Sequence, residues 1–184
     1  MNDPDSRQDS DQAASRFHGL FVGLFNAHFE RLYRYLDRLS GDSDLAADLA
    51  QEAFIKLYRR GSLPDSPEAW LISVAMNLFR NASSSRSRRT RLLTLARAEG
   101  VHSEPGPSPE AAAIDAESRR RVRSAIDRMP PREKRLLLLA AEGYSYRAMA
   151  LALELNEASV GTLLARARRA FRATYAGEEQ RDAP

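Results

Sequence analysis

The 184 residues contain no cysteine, which excludes disulfides and thiolate metal sites. Apolar runs are short, and one of the longest, Leu136 to Ala141, is far below the roughly 20 residues that a membrane-spanning helix needs. The acidic, polar segment 1–15 also lacks the apolar stretch of a signal peptide. We therefore expect a cytoplasmic protein without membrane insertion.

Features of common enzyme sites are also scarce. The sequence has no phosphate-binding Gly-Lys-Ser/Thr loop, and its three histidines, His18, His28 and His102, lack the setting of a metal site or a catalytic triad. His18 and His28 lie in or beside an apolar helical stripe, where a packing role is the simpler interpretation. We expect no catalytic residues, no metal and no cofactor.

Charge is distributed unevenly behind a net charge of +3. Residues 16–91 carry twelve Lys and Arg against eight Asp and Glu, and residues 117–175 carry thirteen against six. The flanking segments 1–15, 92–116 and 176–184 are all net acidic. Two basic blocks on a tether favour two modules that bind a polyanion. Arginine abundance alone is weaker evidence, because with lysine only at Lys56 and Lys134 it also fits a bias in genomic base composition.

These boundaries predict the domain organisation. The stretch from Val101 to Pro109 has three prolines and a glycine, which prevents a continuous helix. We predict a disordered acidic tail (1–15), an amino-terminal helical domain (16–91), an acidic Pro/Gly linker (92–116), a carboxy-terminal helix-turn-helix domain (117–175) and a tail (176–184).

The periodicity of apolar residues is helical along the chain, and no segment is a convincing strand. We predict an all-α fold of two small helical domains joined by a flexible linker, the carboxy-terminal one a helix-turn-helix. The expected helices are Arg16 to Leu39, a second one that Asp42 or Ser43 caps and that runs through Arg60, Pro67 to about Ser84, one from about Glu110, Pro131 through Glu142, and the two helices of residues 145–175.

The helix-turn-helix is the most informative feature of the sequence. The inner side of its short first helix is apolar: Tyr146, Met149, Ala150 and Leu153. Leu155 and Asn156 form the turn, and Asn156 is placed to cap the second helix. In the second helix, the residues that recur at helical spacing on the inner side are apolar: Val160, Leu163, Leu164, Ala167 and Phe171. Its outer face carries hydroxyl and guanidinium groups, which have the chemistry to lie against DNA: Ser159, Thr162, Arg166 and Arg169.

Two further helical faces are not explained by burial. On the second helix an acidic and amide patch surrounds an apolar side chain at i, i+3, i+4 and i+7, which favours a protein-binding face over an ordinary surface: Asp48, Gln51, Glu52 and Ile55. The polar side of the third helix carries groups that suit single-stranded nucleic acid: Trp70, Ser73, Asn77, Arg80 and Asn81. Arg86, Arg88, Arg89 and Arg91 follow as a phosphate-binding run. An anchoring role for Trp70 in the core is the alternative.

The order of these parts resembles the extracytoplasmic-function (ECF) group of bacterial RNA polymerase sigma factors, over most of residues 17 to 175. The resemblance rests on five segments that keep their order and spacing: Asp48-Leu49-Ala50-Gln51-Glu52-Ala53-Phe54, Pro67-Glu68-Ala69-Trp70-Leu71 with Ala75-Met76-Asn77-Leu78, Met129-Pro130-Pro131-Arg132-Glu133, Gly143-Tyr144-Ser145-Tyr146, and Arg166-Ala167-Arg168-Arg169-Ala170-Phe171.

The resemblance implies a role for each face. The patch around Asp48 and Ile55 corresponds to the contact with the polymerase core enzyme, and the loop Gly61 to Ser66 with the third helix corresponds to the part that melts and reads the minus-ten element. The helix-turn-helix corresponds to the module that binds the minus-thirty-five element, with these residues toward the major groove: Glu157, Ser159, Thr162, Arg166 and Arg169. The linker resembles the one that threads the polymerase, and an anti-sigma factor is a further expected partner.

One departure concerns upstream specificity. Many members have a Thr-Val-Lys-Ser-Arg-like start to the recognition helix, whereas this chain has Ser159-Val160-Gly161-Thr162-Leu163.

The alternative functions are a helix-turn-helix regulator that acts without core polymerase and a helical adaptor. The acidic tails offer a second way to cover the basic blocks, within the chain itself.

Overall fold

A computed structural model describes residues 4–93 and 109–179, and the regular structure in these ranges is entirely helical. The all-α prediction is therefore confirmed. The linker core, residues 94–108, lies outside the described residues. The helices are α1 (Pro4–Ser40), α2 (Ser43–Arg60), α3 (Pro67–Leu93), α4 (Pro109–Asp127), α5 (Pro131–Ala141), α6 (Tyr146–Leu153) and α7 (Glu157–Glu179).

The chain forms two compact units, and each draws on two stretches of sequence. The first unit joins the chain up to Ser83 with residues 138–157, and the second joins residues 84–137 with the chain from Ala158 onward. Residues 138–157, which the sequence places in the carboxy-terminal domain, thus pack in the first unit. Leu139 and Met149 of this stretch are fully buried.

An aromatic cluster joins α1 to α2. The ring of Phe25 stacks on Phe29 at 4.7 Å between centroids and meets Phe54 of α2 edge-on at 5.0 Å. Phe21 packs against Tyr58 at 5.1 Å. Rings in these tilted and edge-to-face arrangements stabilise a core beyond the area they bury. This packing fixes the register of α2, and so decides which of its residues face outward.

Side-chain caps define the helix ends near the candidate faces. Asp42 caps α2 by accepting a hydrogen bond from the Leu45 backbone N–H at 3.0 Å, as the sequence predicts. Gly61 ends α2 at φ 71°, a left-handed conformation that favours glycine. Ser145 caps α6 by accepting from the Ala148 N–H at 3.1 Å.

Several element boundaries differ from the expectations. The first helix begins at Pro4, so the acidic segment predicted to be disordered is helical over its described part. Proline is well suited to the first turn of a helix, and no later proline interrupts α1. The third helix extends to Leu93 because the serine and arginine run contains no helix-breaking residue. Tyr146, predicted on the inner side of α6, is 48% exposed.

The second unit contains α4, the start of α5 and α7 from Ala158. Its core includes Ala125, Met129 and Leu136. Of the five inner residues predicted for α7, three are fully buried and two are half-buried: Val160, Leu164 and Ala167, and Leu163 and Phe171. Within residues 4–93 and 109–179, no single helix is long and apolar enough to cross a bilayer, and that length and composition are reached only when α6 and α7 are added together.

Candidate protein- and nucleic-acid-binding faces

The outer face of α2, formed by Asp48, Gln51, Glu52 and Ile55, is accessible. Asp48 and Gln51 are exposed, whereas Glu52 and Ile55 are half-buried. The opposite side of the helix forms the core through Leu49, Ala53, Phe54 and Leu57. The α2 face therefore presents two carboxylates and an amide around an accessible apolar side chain, which suits a protein partner.

The polar side of α3 divides into an exposed part and a partly covered part. Asn77, Arg80 and Asn81 are exposed, so their amide and guanidinium groups are available to a ligand. Trp70 and Ser73 are half-buried. The Ser73 hydroxyl donates to the Ala69 carbonyl oxygen at 2.9 Å, as serine often does within a helix, and it also lies 3.4 Å from the carbonyl oxygen of Ala152 in α6.

The basic run after this face belongs to the extended α3. The side chains of Arg86, Arg88 and Arg89 lie outside the described residues. The helical backbone nevertheless continues past them to Leu93. A single uninterrupted helix therefore carries both the polar face of α3 and the arginine run.

A groove of about 940 Å³ runs beside the loop that follows α2. The loop contributes Gly61, Ser62 and Leu63, and the early part of α1 contributes Phe17 and Leu20 together with Gln12, Ser15 and Arg16. The loop is among the elements that the sequence singles out, whereas the contribution of α1 is new. Phe17 and Leu63 give the groove apolar surface beside polar groups.

The outer face of α7 is exposed at every position that the sequence selects: Glu157, Ser159, Thr162, Arg166 and Arg169. The Arg166 side chain is 70% exposed and lies 3.6 Å, from Nε to Oε1, from Glu133 at the start of α5. The Glu133 side chain is mostly buried, and its carboxylate forms an ion pair with a guanidinium that otherwise faces solvent. Asn156, expected to cap α7, precedes this helix directly.

A polar cluster on α1 was not predicted from the sequence. The Arg34 Nε donates to Oε2 of Glu142 at 2.9 Å, and Arg38 Nη1 lies 2.5 Å from Oε1 of the same carboxylate. The Glu142 side chain is only 3% exposed. The hydrogen bond that Arg34 donates to Glu142 raises the pKa of Arg34, and burial opposes this shift. Both oxygens of a nearly inaccessible carboxylate thus face a guanidinium.

The cluster continues toward Tyr144 and the start of α3. The Arg31 guanidinium lies 4.2 Å from the centre of the Tyr144 ring, a cation–π contact, and it also pairs with Glu68. Burial raises the pKa of Tyr144 to about 12. Burial, and then the charge of Arg31, lowers the pKa of His28, whose Nδ1 lies 2.9 Å from Arg31.

Sequence spacing offers little warning of this cluster. Arg31, Arg34 and Arg38 recur at i, i+3 and i+7, which is equally typical of a solvated helix face. Their partner Glu142 lies 108 residues from Arg34 in sequence. In the part of the chain that the structure describes, no three His, Asp or Glu side chains are grouped so that they could hold a metal ion.

Comparison with known proteins identifies the two regions that carry these faces. Residues 24–89 match the family model of sigma-70 region 2, and residues 119–171 match that of sigma-70 region 4. In fold, the chain resembles the sigma factor RpoE of Bartonella quintana, solved with the anti-sigma factor NepR, with a TM-score of 0.62 and 20% identity over 84% of this chain and 95% of that one. It also resembles CnrH, solved with the cytosolic domain of CnrY, with a TM-score of 0.57 and 21% identity over 94% and 96% of the two chains.

Curated relatives give the same result. The chain is 31% identical to the ECF RNA polymerase sigma factor SigE of Mycolicibacterium smegmatis, over 81% of this chain and 59% of that protein. It therefore spans less than two thirds of that relative. It is 32% identical to the ECF RNA polymerase sigma factor EcfG of Rhodopseudomonas palustris, over 72% of this chain and 70% of that protein. The match to both sigma-70 regions, and 32% identity to EcfG over 70% of its length, show that the chain belongs to the ECF group of RNA polymerase sigma factors.

Proposed function

We propose that this chain is an alternative sigma factor that directs the RNA polymerase core enzyme to specific promoters and initiates transcription. The observation that carries the proposal is the pair of accessible faces on α2 and α3. The α2 face offers a protein-binding surface around Ile55, and the next helix offers Asn77, Arg80 and Asn81 to a nucleic acid. A sigma factor needs both surfaces close together, because it brings the polymerase to the DNA that it opens.

In this proposal the α2 face binds the core enzyme, and α3 with the loop Gly61 to Ser66 acts on the minus-ten element. Taking a base out of the duplex costs a few kcal/mol, which contacts made only to the unstacked base must offset. The groove beside the loop has the size and the apolar surface, at Phe17 and Leu63, for such contacts.

The exposed face of α7 then binds the minus-thirty-five element as duplex. Its serine and threonine hydroxyls and the guanidiniums of Arg166 and Arg169 match phosphates and base edges. Gly161 and Leu163 stand where many members have basic residues, so we expect fewer phosphate contacts from the start of α7 and a larger share from its arginines.

Partners and location follow from this role. Promoter DNA and the core enzyme are the direct partners, in the cytoplasm where the chromosome is transcribed, and the chain itself contributes no catalysis. RpoE was solved with the anti-sigma factor NepR, and CnrH was solved with the cytosolic domain of CnrY. We therefore include an anti-sigma factor among the proposed partners.

Reconstituted transcription tests the proposal. Purified chain is added to core polymerase on a library of genomic fragments, and transcript starts are mapped. We expect new starts that share two sequence elements at a fixed spacing, and no binding to core would overturn the proposal. A helix-turn-helix regulator without core binding, the alternative, would shift promoter DNA alone and give no starts. The accessible α2 face argues against that alternative.

Asn77→Ala tests the role of α3. Losing one amide contact to a base should lower the rate of promoter opening by roughly 10-fold, while the holoenzyme's affinity for duplex promoter changes by less than about 3-fold. A template with a pre-melted minus-ten bubble separates melting from reading. Asn26→Ala, at an exposed asparagine of α1, is the matched control and should leave both quantities unchanged. Equal losses of duplex binding and opening would contradict this role of Asn77.

A further inference from the structure

The segment of residues 138–157, here called the docked segment, brings together parts of the chain that match two separate sigma-70 regions. It comes from within the region 4 match, residues 119–171, yet it packs in the same compact unit as most of the region 2 match, residues 24–89. It contains the end of α5, all of α6 and the turns on either side. A contact between these regions needs specific interactions to hold it, because the chain between them is long.

The Glu142 carboxylate supplies those interactions. At 3% exposure it has lost nearly all contact with water, and its two oxygens depend on Arg34 and Arg38 for compensation. A buried carboxylate whose partner is removed is strongly unfavourable, whereas the same group released into water is well solvated. The state in which the segment is docked therefore depends on the two arginines more than the undocked state does.

Tyr144 reinforces the contact two residues later. Tyr144 is 5% exposed, and its ring lies edge-on to the buried Tyr35 of α1, with 6.5 Å between centroids, while the Arg31 guanidinium covers it. The docked segment is thus held on α1 by an apolar contact flanked by three arginines.

The position of the docked segment affects the two proposed faces differently. The carbonyl oxygen of Ala152 lies 3.4 Å from the Ser73 hydroxyl, on the half-buried part of the polar side of α3, one turn from Trp70. Asp48 and Gln51 on α2 remain exposed. The docked segment therefore restricts the part of α3 that would meet unpaired DNA and leaves the α2 face open.

We propose that residues 138–157 form an autoinhibitory contact, in which the Glu142 pairs with Arg34 and Arg38 keep part of the strand-reading side of α3 closed while the α2 face stays competent to bind core polymerase. The inference rests on the proposed function. It adds that the segment must leave α1 and α3 before the promoter can be opened. Core binding and release of the docked segment are then successive events.

Fluorescence energy transfer measures docking without any assay of function. The chain has no cysteine, so Asn26→Cys on α1 and Leu151→Cys on α6 provide the only thiols for a dye pair at exposed positions. Arg34→Gln combined with Arg38→Gln should raise the ratio of undocked to docked molecules by about 10-fold, within the usual range of coupling energies. Arg59→Gln combined with Arg60→Gln, two exposed arginines of α2, is the matched control and should not change it.

A second variant protects this test against a folding defect. Glu142→Lys places an ammonium group against both guanidiniums, and it should undock the segment at least as strongly as the paired arginine substitutions. Circular dichroism verifies that the helices persist. Unchanged energy transfer in both folded variants would overturn the inference.

Cross-linking tests the consequence for promoter opening. Arg38→Cys and Glu142→Cys are joined by a short bifunctional maleimide, and the same variant blocked with a monofunctional maleimide is the control. The cross-linked chain should bind core within about 3-fold of the control but open promoters at least roughly 10-fold more slowly. Equal opening rates would overturn the inference. Absence of initiation by the unmodified chain would instead refute the proposed function, and the energy-transfer result would still decide whether the segment docks.

Discussion

The polar sides of α1 and α2 are alike in sequence and different in the structure. Each helix buries one side in the same core and carries charged residues on the other. On α2, Asp48 and Gln51 are exposed, and the ion pair between Glu52 and Lys56 is a local one across a single turn, at 3.4 Å. On α1, Arg34 and Arg38 pair with the buried Glu142, far away in sequence.

The polar side of α2 is therefore available to a partner, whereas the polar side of α1 already contacts another part of the chain. The charges of α2 interact within their own helix and with water, so a partner can bind them at little conformational cost. The arginines of α1 pair with the Glu142 carboxylate, which is almost inaccessible to solvent. A partner that binds these arginines would first have to displace the segment that carries Glu142. Exposed polar helix faces in this protein therefore have two distinct uses, and each makes its own prediction.

The largest expected effect is on core binding through α2. Asp48→Arg reverses a charge on the accessible face, and Ile55→Glu adds one in place of its apolar centre. Because like charges or a desolvated carboxylate in an interface cost several kcal/mol, each should weaken core binding by about 100-fold or more. The free energy of unfolding should change by less than about 0.5 kcal/mol for the exposed Asp48 and by about 1 kcal/mol for the half-buried Ile55. Binding is measured by anisotropy of the labelled chain.

Asn26→Arg is the control for these substitutions, because it adds an arginine at an exposed position of α1 outside the α2 face. It should leave core binding intact. If Asp48→Arg and Ile55→Glu bind core as tightly as the parent chain, the assignment of the α2 face is wrong.

The second prediction concerns Arg38 on α1, where we expect the opposite result: a loss of stability without a loss of core binding. Arg38→Glu places a carboxylate beside the nearly inaccessible Glu142, and we expect the free energy of unfolding to fall by about 1–3 kcal/mol, less than for a fully buried pair because Arg38 is 47% exposed. Core binding should stay within about 3-fold, since the α2 face is unchanged. Denaturant unfolding and the same anisotropy assay measure the two quantities. Loss of core binding as severe as with Asp48→Arg would erase the distinction between the two helices.

Much of the fold was predictable because it follows local rules. Apolar spacing indicates α1 from Arg16, α2, α3, α6 and α7, and proline and glycine positions indicate α4 and α5. Asp42 was one of the two caps proposed for α2, and the periodicity of α7 identifies the buried Val160, Leu164 and Ala167. The beginning of α1 was missed because acidic and polar composition suggested a disordered tail. The structure nevertheless continues the helix back to Pro4, and proline is well tolerated in the first turn.

The faces themselves were predictable and the docked segment was not. The residues of the α2 face and the exposed residues of α3 are accessible, although their binding roles remain predictions. The pairing of Arg34 with Glu142 depends on a contact over 108 residues, and helical periodicity carries no information about such distances. Tyr146 illustrates the same limit: its spacing fits the inner side of α6, but the packing around α6 leaves it exposed.

A pH titration sharpens the comparison through His28, which lies in the α1 cluster beside Arg31. Burial, and then the charge of Arg31, lowers the pKa of His28 from 6.5, so the folded chain resists protonation that the unfolded chain accepts. The unfolded state then binds more protons as the pH falls below 6.5, and the free energy of unfolding falls over that range. His28→Gln should remove this component, as measured by urea unfolding between neutral and mildly acidic pH. His18→Gln, at an exposed position, should retain it.

The smallest expected effect is that of Glu52→Gln in α2, which distinguishes a contribution to the free energy of unfolding from a contribution to core binding. Glu52→Gln removes an ion pair to Lys56 in which the two side chains are 38% and 44% exposed. Pairs of this kind contribute little, so the free energy of unfolding should change by less than about 0.5 kcal/mol. Core binding should fall by a few-fold, about 1 kcal/mol, if the carboxylate is used by the partner. A stability loss as large as that of Arg38→Glu, without any effect on binding, would mean that the polar side of α2 is occupied within the chain in the same way as that of α1.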